Sequence, residues 1–459
     1  MEAKEMVAAL IKRARAAQKI ADGYSQEKVD ELVKAISWAI VKKENSEKIA
    51  RLAVDESQLG HYEGKYGKLQ KKIRGVVRDV AGVKSVGIIE RDEKKGLLKI
   101  AKPVGVIGAL VPCTNPEATP VIKAINSVKG RNAIIFAPHP RTKKTNTLIM
   151  NIMRDALKRH GAPEDLIIGI EEPSMDASGE LMAQCDLVVA TGGAGMVKAA
   201  YSSGTPAYGV GAGNVVVVVD ETADFKDSAK KIMLSKTFDL ATSCSADNNI
   251  VLVDSVYSKM LDELKAVGGY MCSADEKAKL QKAVFPDNHL GRDHVAQTAQ
   301  KIASLAGFKI PESVTFLLVE EEGVGPAHPF SGEKMSVIAA VHKVKDFKDA
   351  IDKVNEITSY QGAGHSCGLY STDMKRIEEY GLKTKTSRVM IRQPQVFGNS
   401  GNWDNGLPFT LTLGCGTWGG NISSENITWK HFINITWLSM PIPEVIPKDE
   451  DLFGDIMKE

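Results

Sequence analysis

The spacing of apolar residues changes partway along this chain of 459 residues. Up to about residue 60, apolar positions recur every three or four residues, which predicts amphipathic helices. Ser25 precedes the clearest of these series and is the expected N-cap of its helix. That series consists of Val29, Leu32, Val33, Ile36 and Ile40. The first part of the chain is therefore predicted to be helical.

From residue 104 onward, continuous apolar runs alternate with helical stretches. The runs predict strands at residues 104–112, 133–138, 166–170, 187–191 and 214–220. The segments between them predict helices at residues 118–129, 145–160 and 178–184. Strands that are apolar throughout and alternate with helices indicate a parallel sheet covered on both faces. This βα rhythm is typical of a doubly wound nucleotide-binding domain.

A second α/β unit is predicted from about residue 225 to residue 411. Its strands are expected at residues 250–253, 315–319, 336–341, 368–370 and 388–392. The tail after residue 441 begins with prolines and ends with acidic residues, so we expect it to wrap a surface or to stay mobile. The predicted fold class is therefore α/β, with two large units, which agrees with the length of the chain.

Composition and charge exclude several classes of partner. A content of 43% hydrophobic and 25% charged residues is ordinary for a soluble enzyme. The net charge of +2 gives no reason to expect nucleic acid or a membrane as a partner. The six cysteines are scattered, without a CxxC pair or a Cys/His cluster, which argues against a metal site and for reduced thiols in the cytoplasm. The charged, amphipathic N-terminus does not have the pattern of a secretory signal.

Cys244 is the first candidate for chemistry. It lies in a short polar loop before the strand predicted at residues 250–253, directly after Thr242 and Ser243. A thiol among small hydroxyl residues can be reached and solvated as a thiolate, which is its reactive form. A thiolate can hold an aldehyde or an acyl group covalently. Taken alone, the loop is equally compatible with a half-buried thiol that has no function.

Two glycine clusters are candidates for binding phosphate groups. Gly192 and Gly193 follow a predicted strand and precede a helix that begins near Met196, and Gly211 lies in a second cluster. Glycines in this position let the backbone approach a pyrophosphate and direct amide groups towards it. Turns also use glycine, and neither cluster matches a strict GxGxxG or Walker A pattern.

Three further segments place polar side chains near the ends of predicted strands. Pro138, His139 and Arg141 lie at an edge where doubly wound sheets bind ligands, although a solvated turn is the alternative. The amide of Asn115 could donate a hydrogen bond to a developing oxyanion, or it could belong to an ordinary Asn-Pro turn. His365 follows a glycine-containing turn and could act as a base, orient a thiol, or be purely structural.

Several segments of the chain match segments of one protein family, and they occur in the same order. The longest covers residues 190–214, from Ala-Thr-Gly-Gly to Gly-Ala-Gly-Asn. The others are Asn115-Pro116, Pro138-His139-Pro140-Arg141, Phe238-Asp239 followed by Cys244, the segment 329–334, Gly364-His365 and the segment 411–421. Over residues 5 to 440 or so, the chain resembles the CoA-acylating aldehyde dehydrogenases. That family includes the aldehyde dehydrogenase half of the bifunctional aldehyde–alcohol dehydrogenases.

The resemblance implies the aldehyde dehydrogenase fold. It predicts a cofactor-binding domain over residues 1–225 with a strand extension at about 87–103, and a catalytic domain over residues 226–411. Residues 412–459 would return to the cofactor domain and supply an oligomerisation strand and the C-terminal tail. The small strands would join protomers into a homodimer or homotetramer. Alcohol formation is not expected, because the chain ends at Glu459 without the alcohol dehydrogenase part.

Motif matches also imply roles for individual residues. Cys244 would be the nucleophile, and Asn115 with the Cys244 backbone amide would form the oxyanion hole. His365 would assist the CoA or thioester step. The cofactor, NAD or NADP, would be bound by Pro138, His139, Arg141, Gly192, Gly193, Met196, Gly211 and Glu333, with Glu333 near the nicotinamide ribose. The resemblance does not decide between the two nucleotides, and CoA is implied as the co-substrate.

The absence of one residue favours the acylating branch. Hydrolytic aldehyde dehydrogenases carry a glutamate before a Gly-Gly pair, and this glutamate activates water. Residues 208–213 here read Tyr-Gly-Val-Gly-Ala-Gly, without a carboxylate. The thioacyl enzyme would then survive until CoA thiolate arrives. A hydrolytic aldehyde dehydrogenase and a non-catalytic assembly subunit are the alternatives.

The residues near the predicted nucleophile suggest a short anionic aldehyde. Thr242 and Ser243 stand where relatives acting on plain short aldehydes tend to have apolar residues. Arg388 matches a family arginine and Arg392 is an additional charge; both would lie on one face of the predicted strand, and guanidinium groups suit sulfonate or carboxylate. Arg392 could instead pair with Asp404. Sulfoacetaldehyde fits best, with succinate semialdehyde, acetaldehyde or propionaldehyde as alternatives.

Overall fold

The computed structural model describes residues 2–458. In that range the helices are α1 (Ala3–Ala21), α2 (Gln26–Val41), α3 (Lys43–Ser57), α4 (Tyr62–Val80), α5 (Thr119–Lys129), α6 (Lys143–Arg159), α7 (Met175–Gln184), α8 (Ala194–Tyr201), α9 (Phe225–Thr237), α10 (Tyr257–Ala266), α11 (Ala274–Val284), α12 (Ala299–Leu305), α13 (Phe347–Tyr360), α14 (Met374–Lys383), α15 (Gln395–Gly398) and α16 (Asp449–Phe453). The strands are β1 (Gly87–Asp92), β2 (Leu97–Pro103), β3 (Val106–Val111), β4 (Ala133–Pro138), β5 (Ile167–Gly169), β6 (Leu187–Thr191), β7 (Ala207–Val210), β8 (Val215–Val219), β9 (Asp247–Val253), β10 (Gly269–Met271), β11 (Phe316–Glu320), β12 (Ile338–Val344), β13 (Cys367–Tyr370), β14 (Val389–Ile391) and β15 (Ile433–Ser439).

The N-terminal helices confirm the helical period seen in the first part of the sequence. The side chain of Ser25 accepts a hydrogen bond from the Lys28 N–H, as expected for the N-cap of α2. The apolar series that follows, including Val29, Leu32 and Ile36, is fully buried. Helix α2 packs against α5 and α6, so its apolar face closes one side of the first sheet.

The first sheet has five parallel strands in the order β5-β4-β3-β6-β7. All residues of the central strands β3 and β4 are buried, because helices cover both faces of the sheet. The strand order changes direction at β3, and ligands bind at such points, outside the carboxyl ends of the strands. The prediction of a doubly wound parallel domain is confirmed.

One strand lies in a different sheet from the one predicted. The sequence pattern assigned residues 214–220 to the close of the first unit, but β8 pairs with β9 and β13 of the second sheet. All five valines of β8 are completely buried, so this strand is central rather than terminal. Periodicity within a strand carries no information about its partners, and that prediction was therefore wrong. The chain enters the second unit before β8 instead of near residue 225.

The second sheet has seven parallel strands in the order β10-β11-β12-β9-β8-β13-β14. It confirms the predicted second α/β unit, with each expected strand present within a few residues. Apolar residues of β9, β11 and β12 form its core together with α9 to α12. Cys244 lies directly before β9, and the loop holding it therefore contacts both large units.

A third, small sheet is antiparallel. Strands β1 and β2 form a hairpin, and β15 pairs with β2 along its whole length. This agrees with the strand extension expected at residues 87–103 and with a late strand returning to it. In the tail beyond it, Val445, Ile446, Leu452 and Phe453 are exposed, so the tail does not wrap the surface of its own chain.

Two kinds of feature, a membrane-spanning helix and a metal-binding cluster, are absent from residues 2–458. Within this range no helix is both long enough and apolar enough to cross a lipid bilayer. The described residues also do not gather three or more histidine, cysteine or carboxylate side chains into a cluster that could hold a metal ion.

Candidate active site

A cavity of about 540 Å³ lies between the carboxyl ends of the first sheet and the loop that carries Cys244. It brings together most of the residues singled out in the sequence. Those that line it are Asn115, Pro138, His139, Gly192, Gly193, Met196, Gly211, Thr242, Ser243, Cys244, Glu333 and His365. Residues separated by up to 250 positions in the chain therefore share one site.

Cys244 and His365 are in direct contact. The Nε2 atom of His365 lies 3.3 Å from Sγ of Cys244, and its Nδ1 lies 2.8 Å from Oγ of Ser366. The Arg388 guanidinium donates to the backbone carbonyl of His365 at 2.8 Å, which fixes the position of the histidine. A thiol beside an oriented imidazole is the arrangement expected of a nucleophile and its base.

Burial keeps both members of this pair neutral before substrate arrives. It raises the pKa of Cys244 to about 12, and the nearby Glu333 carboxylate adds to the effect. Burial, followed by the Arg388 charge, lowers the pKa of His365 to about 3. At neutral pH the pair is thus a thiol and a neutral imidazole, whose Nε2 can accept the thiol proton as the thiol attacks.

The loop before Cys244 has an uncommon backbone. Asp239, Leu240 and Ala241 have φ values of 48°, 51° and 62°, in the left-handed region that non-glycine residues seldom adopt. Gly213 packs against this loop so closely that a Cβ there would lie 2.0 Å from the carbonyl oxygen of Cys244. Strained conformations persist where the surroundings determine them, and here they aim the nucleophile into the cavity.

A buried ion cluster holds Asn115 and the nucleophile loop together. Lys68 donates to Oδ1 of Asn115 at 2.5 Å and to Asp239 at 2.6 Å, and its Nζ forms an ion pair with Oε1 of Glu117 at 2.9 Å. Thr242 also donates to Asp239 at 2.6 Å. Because the oxygen of the Asn115 amide is bound to the Lys68 ammonium, its NH₂ group is the end left to donate into the cavity.

The charges in this cluster set the protonation of Asp239. Burial alone would raise its pKa, but Lys68 and Lys65 outweigh burial and hold the pKa below the usual aspartate range. Lys65 lies 3.0 Å from Asp239 and also donates to the carbonyl of Thr114 at 2.6 Å. The wall behind Asn115 is therefore a charged, hydrogen-bonded framework rather than a layer of apolar side chains.

The glycine cluster offers a suitable cradle for a pyrophosphate. Helix α8 begins after Gly193, and no side chain caps its first N–H groups. A Cβ at Gly193, Gly195 or Gly211 would meet no atom within 4 Å, so there is open space for a ligand above the backbone. An uncapped helix N-terminus next to such space fits a dinucleotide phosphate.

Glu333 is a half-buried carboxyl group in the same cavity. Burial raises its pKa to about 8, although the Gly213 backbone and the charges of Lys236 and Lys334 act in the opposite direction. Its backbone N–H donates to Oε1 of Gln361 at 2.8 Å. A carboxyl group held in this way can accept hydrogen bonds from ribose hydroxyls, the role that the sequence resemblance assigns to it.

The structure does not bring three predicted site residues to the cavity. Arg141 is exposed and donates to the carbonyl of Ser57. Arg388 is buried, but its donors are bound to backbone carbonyls of His365 and Gly414. Arg392 is exposed at the end of the edge strand β14, has a positive φ, and makes no ion pair with Asp404 among the described residues. The structure therefore supports neither the binding of an anionic aldehyde by Arg392 nor its pairing with Asp404.

Sequence reasoning missed the buried lysines of α4. Lys65, Lys68 and Lys72 are each at most 4% exposed, and their spacing of three and four residues places them on one helix face. Lysine is nearly always exposed, so pattern reasoning treats it as a solvent-facing position. The available signal was their recurrence at the helical period where α4 should bury apolar residues.

Comparison with known proteins agrees with this geometry. Residues 1–281, more than half of the chain, match the aldehyde dehydrogenase family. An acylating sulfoacetaldehyde dehydrogenase from Bilophila wadsworthia is 46% identical, over 97% of this chain and 97% of that protein. An acetylating aldehyde dehydrogenase from Geobacillus thermoglucosidasius is 38% identical, with a TM-score of 0.94 over 97% of this chain and 98% of the other.

A further solved structure is relevant to the chemistry. A propionaldehyde dehydrogenase from Rhodopseudomonas palustris, solved with bound CoA and an acylated cysteine, is 28% identical, with a TM-score of 0.86 over 95% of this chain and 97% of that chain. The family match, the near full-length relative and the shared fold lead to one assignment. This chain belongs to the aldehyde dehydrogenase family, in its CoA-acylating branch.

Proposed function

We propose that this protein oxidises a short anionic aldehyde to its acyl-CoA, using NAD⁺ or NADP⁺ and CoA, and catalyses the reverse reduction. Sulfoacetaldehyde is the substrate that we favour, because the Bilophila relative of that name matches nearly the whole chain. The observation that carries the proposal is the contact of 3.3 Å between Cys244 and His365 in a cavity large enough for a nucleotide and an aldehyde.

In the first step Sγ of Cys244 attacks the aldehyde carbon while its proton passes to Nε2 of His365. The carbonyl oxygen becomes an oxyanion, which accepts hydrogen bonds from the NH₂ group of Asn115 and the backbone N–H of Cys244. That N–H donates to none of the residues described, so it is available. Removing one such donor typically costs roughly 3 kcal/mol in the transition state.

Collapse of the oxyanion then expels a hydride and leaves a thioester on Cys244. The bound nicotinamide supplies the acceptor for that hydride. Residues of this chain that would hold the cofactor are Gly192, Gly193, Gly211 and Glu333, together with the uncapped start of α8. Their contribution is to position the ring beside Cys244 and to exclude bulk water.

CoA completes the cycle. After His365 has released the first proton to solvent, its neutral imidazole accepts the CoA thiol proton and the resulting thiolate attacks the thioester carbon. The bond from that carbon to Sγ of Cys244 then breaks, and the leaving Cys244 thiolate takes the proton back from His365. The R. palustris relative, with CoA bound and its cysteine acylated, supports this step in the family. One sulfur atom thus replaces another, and no water molecule takes part.

Water competes poorly because no carboxylate is placed to activate it. The segment after β7 carries Val210, Gly211, Ala212 and Gly213, without a carboxylate. Glu333 is the one acidic residue among the described residues that line the cavity, and its raised pKa leaves it largely protonated at neutral pH. A hydrolytic reaction is therefore the less favoured alternative.

A panel of assays tests the proposal. Sulfoacetaldehyde, succinate semialdehyde and propionaldehyde are each combined with NAD⁺ or NADP⁺, with and without CoA, and NAD(P)H is followed by absorbance. We expect continuous turnover only with CoA, and highest kcat/KM with sulfoacetaldehyde. Cys244→Ala should remove turnover while nucleotide binding is retained. An inactive wild-type protein would instead favour a non-catalytic assembly subunit.

The small sheet supports a proposal on assembly. Strand β15 is an edge strand, and Ile435, Trp437 and Leu438 on it are exposed. Long exposed edges with apolar side chains are normally covered in native proteins. We therefore expect a homodimer or homotetramer by light scattering, and dissociation into smaller species when Leu438 is changed to Lys.

A further inference from the structure

The cavity must recognise an anion without a cationic lining. No lysine or arginine lines it among residues 2–458, and the predicted guanidinium groups of Arg388 and Arg392 lie elsewhere. Hydroxyl groups are present instead, on Thr242, Ser243 and Ser400. If the substrate is anionic, the positive charge that selects it must come from behind the wall of the cavity.

The helix α4 places three ammonium groups there. Lys65 donates to the carbonyl of Thr114 and Lys68 to the side chain of Asn115, and both of these residues line the cavity. These two lysines share two buried carboxylates, Glu117 and Asp239. Their charges are therefore balanced within the protein.

Lys72, the third lysine, is different. It is 4% exposed, and its Nζ donates only to backbone carbonyls, at 2.7 Å to Gly401, 3.3 Å to Phe397 and 3.4 Å to Ser400. It forms no ion pair with any described residue. Burial, and then the neighbouring Lys71, lowers the pKa of Lys72 well below its ordinary value. The amine also lies 5.3 Å from the centre of the Phe409 ring. A buried amine without a carboxylate partner is costly, and groups perturbed in this way are candidates for functional sites.

Ser400 connects Lys72 to the cavity. Ser400 lines the same cavity as Cys244, and its carbonyl accepts a hydrogen bond from Lys72. Its hydroxyl makes only a long hydrogen bond of 3.5 Å, to the carbonyl of Val396. A charge behind a single residue in a poorly solvated wall acts on an anion much more strongly than the same charge would in water. The arriving anion in turn stabilises the ammonium form of Lys72.

We infer that Ser400, with Lys72 behind it, forms the subsite for the sulfonate or carboxylate group of the aldehyde. The inference rests on the proposed function, because it assumes an aldehyde bound at Cys244. Lys72 acts by its charge and Ser400 by its hydroxyl, while the carbonyl end of the substrate stays at Cys244.

The test compares an anionic with a neutral aldehyde in matched variants. Lys72→Met removes the charge at similar length, Lys72→Arg keeps a cation, and Lys71→Met makes the same change at the neighbouring, half-buried position. We expect Lys72→Met to lower kcat/KM for sulfoacetaldehyde by at least about tenfold, and that for propionaldehyde by less than about threefold. Lys72→Arg should keep most of the preference for sulfoacetaldehyde over propionaldehyde. Lys71→Met should not change kcat/KM appreciably for either substrate.

A purely structural lysine, which only fixes residues 397–401, would give a different result. Lys72→Met would then lower kcat/KM equally for sulfoacetaldehyde and propionaldehyde, and this result would overturn the subsite. A wild-type enzyme that prefers sulfoacetaldehyde, together with a Lys72→Met enzyme that keeps this preference, would overturn the subsite alone. A wild-type enzyme with no CoA-dependent aldehyde oxidation would overturn both the subsite and the proposed function.

A second measurement applies even if the lysine variants fail to fold. Ethanesulfonate, an unreactive anion, should inhibit wild-type propionaldehyde oxidation competitively, whereas the neutral ethyl methyl sulfone should not. Ser400→Asp places a negative charge at the subsite, so ethanesulfonate should no longer inhibit the residual propionaldehyde oxidation of this variant. Equal inhibition of the wild type and Ser400→Asp by ethanesulfonate would overturn the assignment.

Discussion

Cys244 and His365 are arranged so that reactivity appears only when a ligand is present. With a thiol pKa raised to about 12 and an imidazole pKa lowered to about 3, the two side chains do not form an ion pair in the empty site. A neutral thiol is protected from oxidation and from stray electrophiles. In the proposed mechanism, the Cys244 thiolate forms when an electrophilic carbon is in place and the proton can move to His365.

The first prediction concerns the reactivity of the free thiol. Because burial raises the pKa of Cys244, the thiolate fraction is small at neutral pH and grows by up to about tenfold for each pH unit. Alkylation of the ligand-free enzyme by iodoacetamide should therefore accelerate from pH 7 to pH 10 without a plateau. Mass spectrometry of the Cys244 peptide measures this rate, and Cys244→Ala gives the background.

Glu333 provides a check on the cause of that behaviour. Its carboxylate raises the pKa of Cys244, and its own pKa is about 8. Glu333→Gln should therefore speed alkylation above about pH 8, where the wild-type carboxyl group is ionised, and have less effect below it. A wild-type rate that levels off below pH 8 would contradict the raised thiol pKa.

The second prediction concerns Asp239. Asp239→Asn leaves Lys65 and Lys68 facing Glu117 alone, and breaking a buried pair costs about 3–5 kcal/mol. The melting temperature should fall, and kcat should fall by about 100-fold because Asn115 and the nucleophile loop lose their common anchor. Asp227→Asn, which breaks the exposed pair with Lys231, should be nearly neutral.

The pH dependence of this loss has a definite sign. The pKa of Asp239 is held below the usual range, so its stabilising effect is present at neutral pH and is lost only as pH falls through the lowered folded-state value. The difference in melting temperature between wild type and Asp239→Asn should therefore persist through mild acid. A difference that already vanishes near pH 6 would contradict the ion cluster.

At the residue scale, the sequence singled out candidate residues that the structure brings into one cavity, but it did not place the charged residues correctly. Cys244, His365 and Asn115 could be found because their motifs lie at strand ends and match a family. Arg392 was misplaced because the expected strand ends at Ile391 and the backbone turns to a positive φ at the next residue. Lys72 was missed because only its tertiary contacts reveal that it is buried.

Among the elements, the segment between β7 and β8 is packed closely against the loop that carries Cys244. It crosses from the first sheet to the second directly beneath the Cys244 loop, and Gly213 is the point of contact. A side chain there would displace the backbone that carries the oxyanion-binding amide. The open space at Gly211, two residues earlier, is instead available to a ligand.

The third prediction follows from that contact. Gly213→Ala places a Cβ 2.0 Å from the Cys244 carbonyl oxygen, so the loop must shift. Since displacements near 1 Å at a reacting centre can cost about 100-fold, we expect kcat to fall by that order, while nucleotide binding changes little. Gly179→Ala on α7, where no atom lies within 4 Å, is the matched control and should keep full activity.

A Gly213→Ala enzyme with wild-type kcat would show that the backbone at Cys244 is not set by this packing. Sequence reasoning could not supply this contact, because it depends on β8 lying beside β9 in the second sheet. The run of five valines predicted a buried strand correctly but did not identify its neighbours. Strand type is a local property, whereas strand order depends on tertiary packing.

At the scale of the whole molecule, two parallel sheets meet at one cavity. The first supplies the nucleotide side through the ends of β3, β4 and β6, and the second supplies Cys244 and His365 from the loops before β9 and β13. The lysine face of helix α4 lies behind the wall, where Lys68 donates to Asn115 and Lys72 to Ser400. The alternation of strands and helices predicted two α/β units. Which residues of the two units contact each other could be seen only in the structure.

We propose that the acyl group stays on Cys244 until a thiol accepts it. Rapid mixing of the enzyme with NAD(P)⁺ and aldehyde, without CoA, tests this directly. We expect a burst of NAD(P)H of about one equivalent per active site and an acylated Cys244 peptide by mass spectrometry. Turnover should resume when CoA is added. Steady formation of NAD(P)H and free acid in the absence of CoA would contradict it.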